Sequence, residues 1–268
     1  MHSSSYFAHF RDLLMFAKKS YGQHFLRHDS IAARIAQSLQ MADSVGQVVE
    51  VGPGRGILTK QLLAQSAYKT WCVEADRDMV DYLKEHLPQL EDRLLFQDFL
   101  EWNPAQTFGD SPFCLIGNFP YNISTQILFK LLDYRHQIPE MAGMFQKEVA
   151  DRVVSRPGTK VYGITSVLLQ ASYEARSLFT VEPGSFQPPP KVQSAVIHLT
   201  RKAQYVPACD EVRFRKIVKA AFNQRRKMLR NTLRPFFQAN TLMEDPFFER
   251  RPETLSWQEY VALTNRSE

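Results

Sequence analysis

The feature that most constrains this chain is an alternation of short β-rich runs with amphipathic helical patterns, between about residues 48 and 200. Such alternation is typical of parallel βαβ units, with helices on both faces of one sheet. The last two β-rich runs are joined by a proline-rich loop that is too short for a helix, so they are predicted to pair antiparallel. The seven predicted strands are 48–52, 70–74, 94–97, 113–117, 141–146, 175–181 and 194–200.

The regions on either side of this alternating part differ from it. Residues 29–39 show helical spacing of apolar side chains, with Asp29 as the candidate N-cap. The β-pattern stops near residue 200, and residues 210–268 show helical spacing. The sequence therefore predicts an α/β fold with a catalytic or binding domain at 1–200 and a small all-α domain at 201–268.

A glycine-rich loop follows the first predicted strand, in the stretch VVEVGPGRGILT. Gly52 and Gly54 stand between a strand and the start of a helix, where glycine permits a tight turn and close approach of a ligand. The spacing is GxGxG and not the GxGxxG of dinucleotide-binding proteins, because position 57 is isoleucine. A purely structural turn is the alternative, but the strand-to-helix context favours a binding loop.

Two acidic residues end the next two predicted strands. Glu74 ends the second strand, where a carboxylate can accept hydrogen bonds from both hydroxyls of a ribose. Asp98 follows the third strand, where it can accept from the exocyclic amine of an adenine. Open α/β sheets bind ligands at the carboxyl ends of their strands. Together with the glycine loop, the two acids predict a cofactor that contains adenosine.

The fourth predicted strand runs into the tetrapeptide Asn118-Phe119-Pro120-Tyr121. An asparagine oxygen and a neighbouring backbone carbonyl can accept both N6–H groups of an adenine, which frees the nitrogen lone pair for attack on a methyl group. Pro120 fixes the turn, and Tyr121 offers a face on which a flipped base can stack. Phe186, in the proline-rich loop, is predicted to cover the other face of the base; a role as a core anchor is the alternative.

Charge and cysteine content place further bounds on function. The net charge of +5 divides into 19 basic and 20 acidic residues at 1–200, against 14 basic and 8 acidic at 201–268. Eight basic residues and no acid lie at 215–234. They predict a positive helical ridge that contacts phosphates through Arg225, Arg226, Lys227 and Arg230, although a solvated face is the alternative. Three scattered cysteines without CxxC spacing argue against a disulfide framework or a metal site and favour the cytoplasm. The chain shows no apolar run of membrane-spanning length and no signal peptide.

Six blocks of sequence resemble the KsgA/RsmA family of ribosomal RNA adenine N6-dimethyltransferases, as do the positions of Glu74 and Asp98. The resemblance covers residues 18 to about 260, with the motifs in the same order. The matching blocks are KKSYGQHFL, VEVGPGRGILT, GNFPYNIS, FQKEVADR, FQPPPKVQSAV and FNQRRKMLRNTL.

The resemblance implies a class I methyltransferase fold, which is Rossmann-like, with a seven-stranded sheet whose last strand is antiparallel. It implies S-adenosylmethionine as the methyl donor. It also implies that two adjacent adenosines in the 3′-terminal hairpin of 16S ribosomal RNA each receive two methyl groups during assembly of the small subunit. A monomer is expected. By position, the cofactor contacts are His24, Leu26, Gly52, Gly54, Glu74, Asp98 and Asn118.

Two positions depart from the family pattern, since Phe119 replaces the usual leucine and Gln193 replaces a common aspartate. Three rival functions remain at this point. A dimethyltransferase of large-subunit RNA shares the chemistry, but the long basic segment and PPPKVQSAV argue against it. A non-catalytic RNA-binding factor would be expected to lose the tetrapeptide or the glycine loop. A nicotinamide-dependent enzyme would need glycine at position 57.

Overall fold

The computed structural model describes residues 22–203 and 209–267. Within them the strands are β1 (Phe25–Leu26), β2 (Gln47–Val51), β3 (Lys69–Glu74), β4 (Leu94–Phe96), β5 (Cys114–Asn118), β6 (Glu140–Gln146), β7 (Tyr173–Val181), β8 (Phe186–Gln187) and β9 (Ser194–Arg201). The helices of the sheet region are α1 (Asp29–Ala36), α2 (Ala42–Val45), α3 (Ile57–Leu63), α4 (Arg77–His86), α5 (Pro104–Phe108), α6 (Ser124–Asp133), α7 (Lys147–Val154) and α8 (Ile164–Ser172). The C-terminal helices are α9 (Glu211–Asn223), α10 (Leu229–Thr232), α11 (Ala239–Glu244) and α12 (Trp257–Asn265).

Seven strands form one sheet in the order β4-β3-β2-β5-β6-β9-β7. The pairs from β4 through β6 are parallel, because a helix crosses over between successive strands. Strand β9 is inserted between β6 and β7 and is antiparallel to both. The predicted α/β fold and its antiparallel last strand are therefore confirmed, while the insertion of β9 between two earlier strands was not predicted.

The central strands are apolar because helices cover both faces of the sheet. Val49 and Val51 lie in one core cluster, and Val48 lies in a second cluster with α1 and α3. Alternate side chains of one strand therefore enter different layers, as the pleat requires. The parallel strands all end at one edge of the sheet, and this edge carries the glycine loop, both predicted acids and the tetrapeptide.

Helices α9 and α12 pack on α8, and the C-terminal region shares a continuous core with the sheet region. Phe214 and Ile217 of α9 lie in the same buried cluster as Val167 and Leu168 of α8. Helix α9 begins at the cap of Asp210, whose carboxylate accepts from the Arg213 backbone N–H at 3.0 Å. The domain boundary near residue 201 stays a prediction.

Two local predictions about helices are wrong. Asp29 is the first residue of α1 and not its cap, since His28 occupies the N-cap position without a side-chain bond. The basic segment is not one helix, because α9 ends at Asn223 and a turn at 224–228 precedes α10. Helical spacing in the sequence continues across this break, so apolar periodicity alone could not reveal it.

Candidate active site

A cavity of about 220 Å³ opens at the carboxyl-terminal edge of the parallel strands. Nine of the residues predicted for the site line it, and they come from five separate segments of the chain. These residues are His24, Gly52, Gly54, Glu74, Asp98, Asn118, Phe119, Pro120 and Tyr121. The sequence prediction that these segments meet at one place is consistent with this cavity, and the roles of the individual residues remain predictions.

The glycine loop forms one wall of the cavity. Gly54 has a φ of +55°, and a Cβ placed on it would lie 3.1 Å from the ring of Phe25. Both the backbone angle and the close ring therefore favour glycine at this position. The loop therefore packs closely against the ring of Phe25, which also lines the cavity.

Glu74 ends β3 beneath this loop and is 6 % exposed. Its Oε2 accepts from the Gly54 backbone N–H at 3.2 Å, and its Oε1 accepts from the Asp76 N–H at 2.9 Å. Burial raises the pKa of Glu74, although these backbone hydrogen bonds act in the opposite direction. The same carboxylate thus shapes the glycine loop and faces the cavity.

Asp98 lines the cavity from an exposed position in the turn that follows β4. Its Oδ1 accepts from the Leu100 backbone N–H at 2.8 Å. The turn is tied to α6 by Lys130, whose ammonium donates to the carbonyl oxygens of Leu100 at 2.9 Å and Trp102 at 2.5 Å. Sequence reasoning missed Lys130, because no motif marks a lysine that acts on a distant loop.

Asn118 is the last residue of β5, and its side-chain amide has a defined orientation. Its Nδ2 donates to the backbone carbonyl of His24 at 3.0 Å. Among the described residues, no protein group is hydrogen-bonded to Asn118 Oδ1. The amide therefore presents an acceptor oxygen at the cavity.

The phenol of Tyr121 is held by a residue that was not among those predicted for the site. Tyr121 Oη lies 2.5 Å from the hydroxyl of Ser194, at the start of β9. The ring centroid of Tyr121 lies 5.1 Å from that of His24, with the planes inclined by 34°. Burial raises the pKa of Tyr121, so its phenol stays neutral at physiological pH.

Leu26 and Phe186, both predicted for the site, are placed elsewhere. They pair with each other across β1 and β8, and their side chains are 6 % and 2 % exposed in one apolar cluster. Neither lines the cavity. Hydrophobic burial holds the Phe186 ring in the core in this structure, as the alternative interpretation stated, and its predicted contact with a base stays a prediction.

The pairing of β1 with β8 holds the segment 22–27 across the cavity. Gln23 Nε2 donates to Asp76 Oδ2 at 2.9 Å. His24 Nδ1 lies 2.8 Å from the carbonyl oxygen of Pro188, and the Arg27 N–H donates to the Ser185 carbonyl at 2.9 Å. The segment therefore bonds to the cap of α4, to the proline-rich loop and, through Asn118, to the tetrapeptide.

The two departures from the family pattern have structural explanations. The ring of Phe119 is 1 % exposed and stacks on Phe145 with centroids 4.7 Å apart, so the larger side chain is accommodated in the core. A Cβ on Gly143 would lie 2.3 Å from this ring, which explains the glycine in β6. Gln193 donates to Glu182 at 2.7 Å, where an aspartate would oppose a like charge.

The basic segment is less uniformly positive in space than in sequence. Arg226 and Lys227 are exposed in the turn after α9. Arg225 donates to the Thr159 carbonyl at 3.0 Å. Arg230 lies 3.4 Å from a carboxylate oxygen of Glu249. Acids from distant parts of the chain therefore neutralise some of the charge that the local sequence leaves unopposed.

Metal-binding clusters and membrane-spanning helices are both absent from the described part of the chain. No group of three or more His, Cys, Asp or Glu side chains in residues 22–203 and 209–267 is arranged to hold a metal ion. Within the same ranges, no helix combines the length and apolar character needed to cross a bilayer.

Comparison with known proteins gives the family. A model described as ribosomal RNA adenine dimethylase matches residues 15–245. Proteins named ribosomal RNA small subunit methyltransferase A are similar: that of Cytophaga hutchinsonii is 52% identical over 93% of this chain and 96% of its own, and that of Porphyromonas gingivalis is 50% identical over 92% and 96%.

Two solved structures share the fold. A dimethyladenosine transferase from Plasmodium falciparum superposes with a TM-score of 0.74 at 22% identity, covering 90% of this chain and 96% of its own. The 23S rRNA methyltransferase ErmE superposes with a TM-score of 0.68 at 22% identity, covering 90% and 100%. The family model and the curated relatives together show that this chain is a methyltransferase and belongs to the ribosomal RNA adenine dimethylase family.

Proposed function

We propose that this enzyme uses S-adenosylmethionine to dimethylate N6 of two adjacent adenosines in the 3′-terminal hairpin of 16S ribosomal RNA, while the small subunit is being assembled in the cytoplasm. The observation that carries the proposal is the orientation of Asn118. Its Nδ2 is bonded to the His24 carbonyl, so its Oδ1 is the atom available to a substrate amine. Full-length homologues with a small-subunit name support the choice of RNA.

The residues at the glycine-loop end of the cavity suit S-adenosylmethionine, which supplies an electrophilic methyl group when bound. Glu74 and Asp98 both line the cavity, and we expect Glu74 to accept hydrogen bonds from the ribose hydroxyls and Asp98 to accept from the adenine amine. Gly52 and Gly54 both line the cavity, with the positive φ angles that the tight turn of the loop requires. His24 lines the end nearest to Asn118, where the methionine part is expected.

Asn118 and the backbone of Phe119 act on the substrate amine. The N6 lone pair of adenine is delocalised into the ring, so the amine is a poor nucleophile. When Asn118 Oδ1 and the Phe119 carbonyl accept the two N6–H groups, the nitrogen moves towards tetrahedral geometry and its lone pair becomes available for in-line attack. The proton leaves after methyl transfer, and no strong general base is needed. Tyr121 provides the surface on which the flipped base stacks.

The exposed part of the basic segment is proposed to hold RNA phosphates. Arg226 and Lys227 are open to solvent, and Arg225 fixes their turn to the loop at Thr159. Such contacts set the position of an RNA without reading its sequence. The target hairpin is then selected by shape and by the surrounding RNA.

The test is methyl transfer by the full chain from labelled S-adenosylmethionine to immature small subunits and, in parallel, to large-subunit RNA. Mass spectrometry of the RNA is expected to show dimethyladenosine near the 3′ end of the small-subunit RNA alone. Labelling of large-subunit RNA instead would favour the rival substrate of the same chemistry.

Asn118→Ala separates the proposed chemistry from binding. Loss of one acceptor that acts in the transition state is expected to lower the rate at least about a hundredfold. Asn240→Ala, on the exposed start of α11, is the matched control and should keep full activity. Full dimethylation by the Asn118 variant would refute the role of its side-chain oxygen.

A further inference from the structure

Ser194 contacts the tetrapeptide from a strand that contributes no residue to the cavity lining. It is the first residue of β9 and is 0 % exposed. It pairs with Gln146 of β6 and with Val181 of β7, so its backbone is fixed in the sheet on both sides. Its hydroxyl meets the phenol oxygen of Tyr121 at 2.5 Å.

The Tyr121 ring is therefore restrained at two points. Ser194 holds the phenol end, and the His24 ring packs at a centroid distance of 5.1 Å. His24 is itself bonded to the Pro188 carbonyl at 2.8 Å. A tyrosine ring moves by rotation about two side-chain torsions, and anchors at its tip and along its side restrict both.

Orientation of this ring matters because Tyr121 and Asn118 belong to one tetrapeptide at the same cavity wall. A base stacked on a ring that tilts would carry its amine away from Asn118 Oδ1. Displacements of about 1 Å at a reacting centre can cost as much as a hundredfold in rate. A buried hydrogen bond from the rigid sheet is a suitable way to prevent such a tilt.

Resting on the proposed function, we propose that Ser194 is a positioning residue for the substrate adenine, which acts by holding the Tyr121 ring through its phenol. The hydroxyl of Ser194 touches neither cofactor nor RNA. Its contribution lies in the geometry of base stacking and therefore in the rate of methyl transfer.

The test is a double-mutant cycle of Ser194→Ala and Tyr121→Phe in the full chain. Each single change breaks the same hydrogen bond, and each is expected to lower kcat about five- to fiftyfold. The double variant should be no slower than the slower single variant, because the bond is already absent. The KM for RNA and the calorimetric affinity for S-adenosylmethionine should stay within about twofold of the wild type, since the groups that bind phosphate and cofactor are unchanged.

Ser166→Ala is the matched control, because Ser166 is also a fully buried serine, and its hydroxyl bonds to the Arg152 carbonyl and to the Gly163 N–H far from the cavity. It should lower Tm without changing kcat. Three results would each overturn the proposal. Ser194→Ala could leave kcat unchanged, the losses in kcat could multiply in the double variant, or the affinity for S-adenosylmethionine could fall by the same factor as kcat. A wild type that methylates only large-subunit RNA would contradict the proposed substrate, and the same cycle on that RNA would still decide the role of Ser194.

Discussion

Replacing Glu74 with glutamine is expected to weaken cofactor binding while changing the thermal stability of the protein only slightly. Both carboxylate oxygens accept backbone N–H groups, from Gly54 and from Asp76. A glutamine side chain has one acceptor oxygen and one NH2 group. One of these two backbone N–H groups would therefore face another donor in a buried site.

The magnitudes follow from two opposing contributions. A buried donor left without an acceptor costs about 1–3 kcal/mol. Against this, glutamine removes the cost of burying a charge, which is the main reason that the pKa of Glu74 is raised. We therefore expect a small change in Tm. Ribose hydroxyls would also lose charge-assisted bonds worth about 1.5–3 kcal/mol, which corresponds to a Kd about ten to a hundred times higher.

Calorimetric titration with S-adenosylmethionine measures this loss, and thermal unfolding of the same samples reports stability. Glu244→Gln removes one carboxylate from an exposed position on α11 and serves as the control. An unchanged Kd in Glu74→Gln would show that Glu74 is not in the cofactor site. A large fall in Tm together with the absence of binding would show that the variant disrupts the glycine loop. That result would contradict the expectation that binding changes while stability does not.

The pH dependence of binding has a definite sign. The cofactor hydroxyls are expected to bond to the ionised carboxylate, and burial raises the pKa of Glu74 in the free protein. When the pH falls below that raised pKa, Glu74 is protonated and must lose its proton before the cofactor binds. The affinity for S-adenosylmethionine therefore begins to decrease at a higher pH than it would with an ordinary glutamate. Glu74→Gln should show no such decrease over the same range, and a wild-type affinity that is flat over this range would refute the reasoning.

Two further predictions concern packing and RNA. Gly143→Ala should lower the free energy of unfolding by about 1–3 kcal/mol in denaturant titrations, because its Cβ would lie 2.3 Å from the Phe119 ring, and adding Phe119→Leu should recover part of the loss. Joint replacement of Arg226 and Lys227 by glutamine should weaken RNA binding and reduce the slope of log affinity against log salt, by about 0.7–0.9 for each phosphate that the protein no longer neutralises. Filter binding over a salt series measures the slope. Lys69→Gln, at the exposed first residue of β3, is the control and should leave the slope unchanged. A Gly143→Ala variant as stable as the wild type would contradict the packing prediction. A salt slope equal to that of the wild type, after replacement of Arg226 and Lys227, would contradict the RNA prediction.

Short-range sequence patterns determined much of this protein. The seven strands of the main sheet were predicted within a few residues of their observed bounds, since apolar runs bounded by turn residues record local burial. Glu74, Asp98 and Asn118 were predicted to meet because parallel strands end at one edge of a sheet. Each of these inferences needed only the chain order and the direction of the strands.

Contacts between distant segments were decided by the tertiary structure alone. Ser194 reaches Tyr121 because β9 is inserted between two earlier strands, and no local pattern encodes that insertion. Phe186 is in the core because β8 pairs with β1, some 160 residues earlier in the chain. Periodicity shows which side chains avoid water, but strand order and loop pairing decide which of them meet. For this protein, the sequence therefore determined the sheet and the residues at its edge, whereas only packing across the chain decided how the ring of Tyr121 is held.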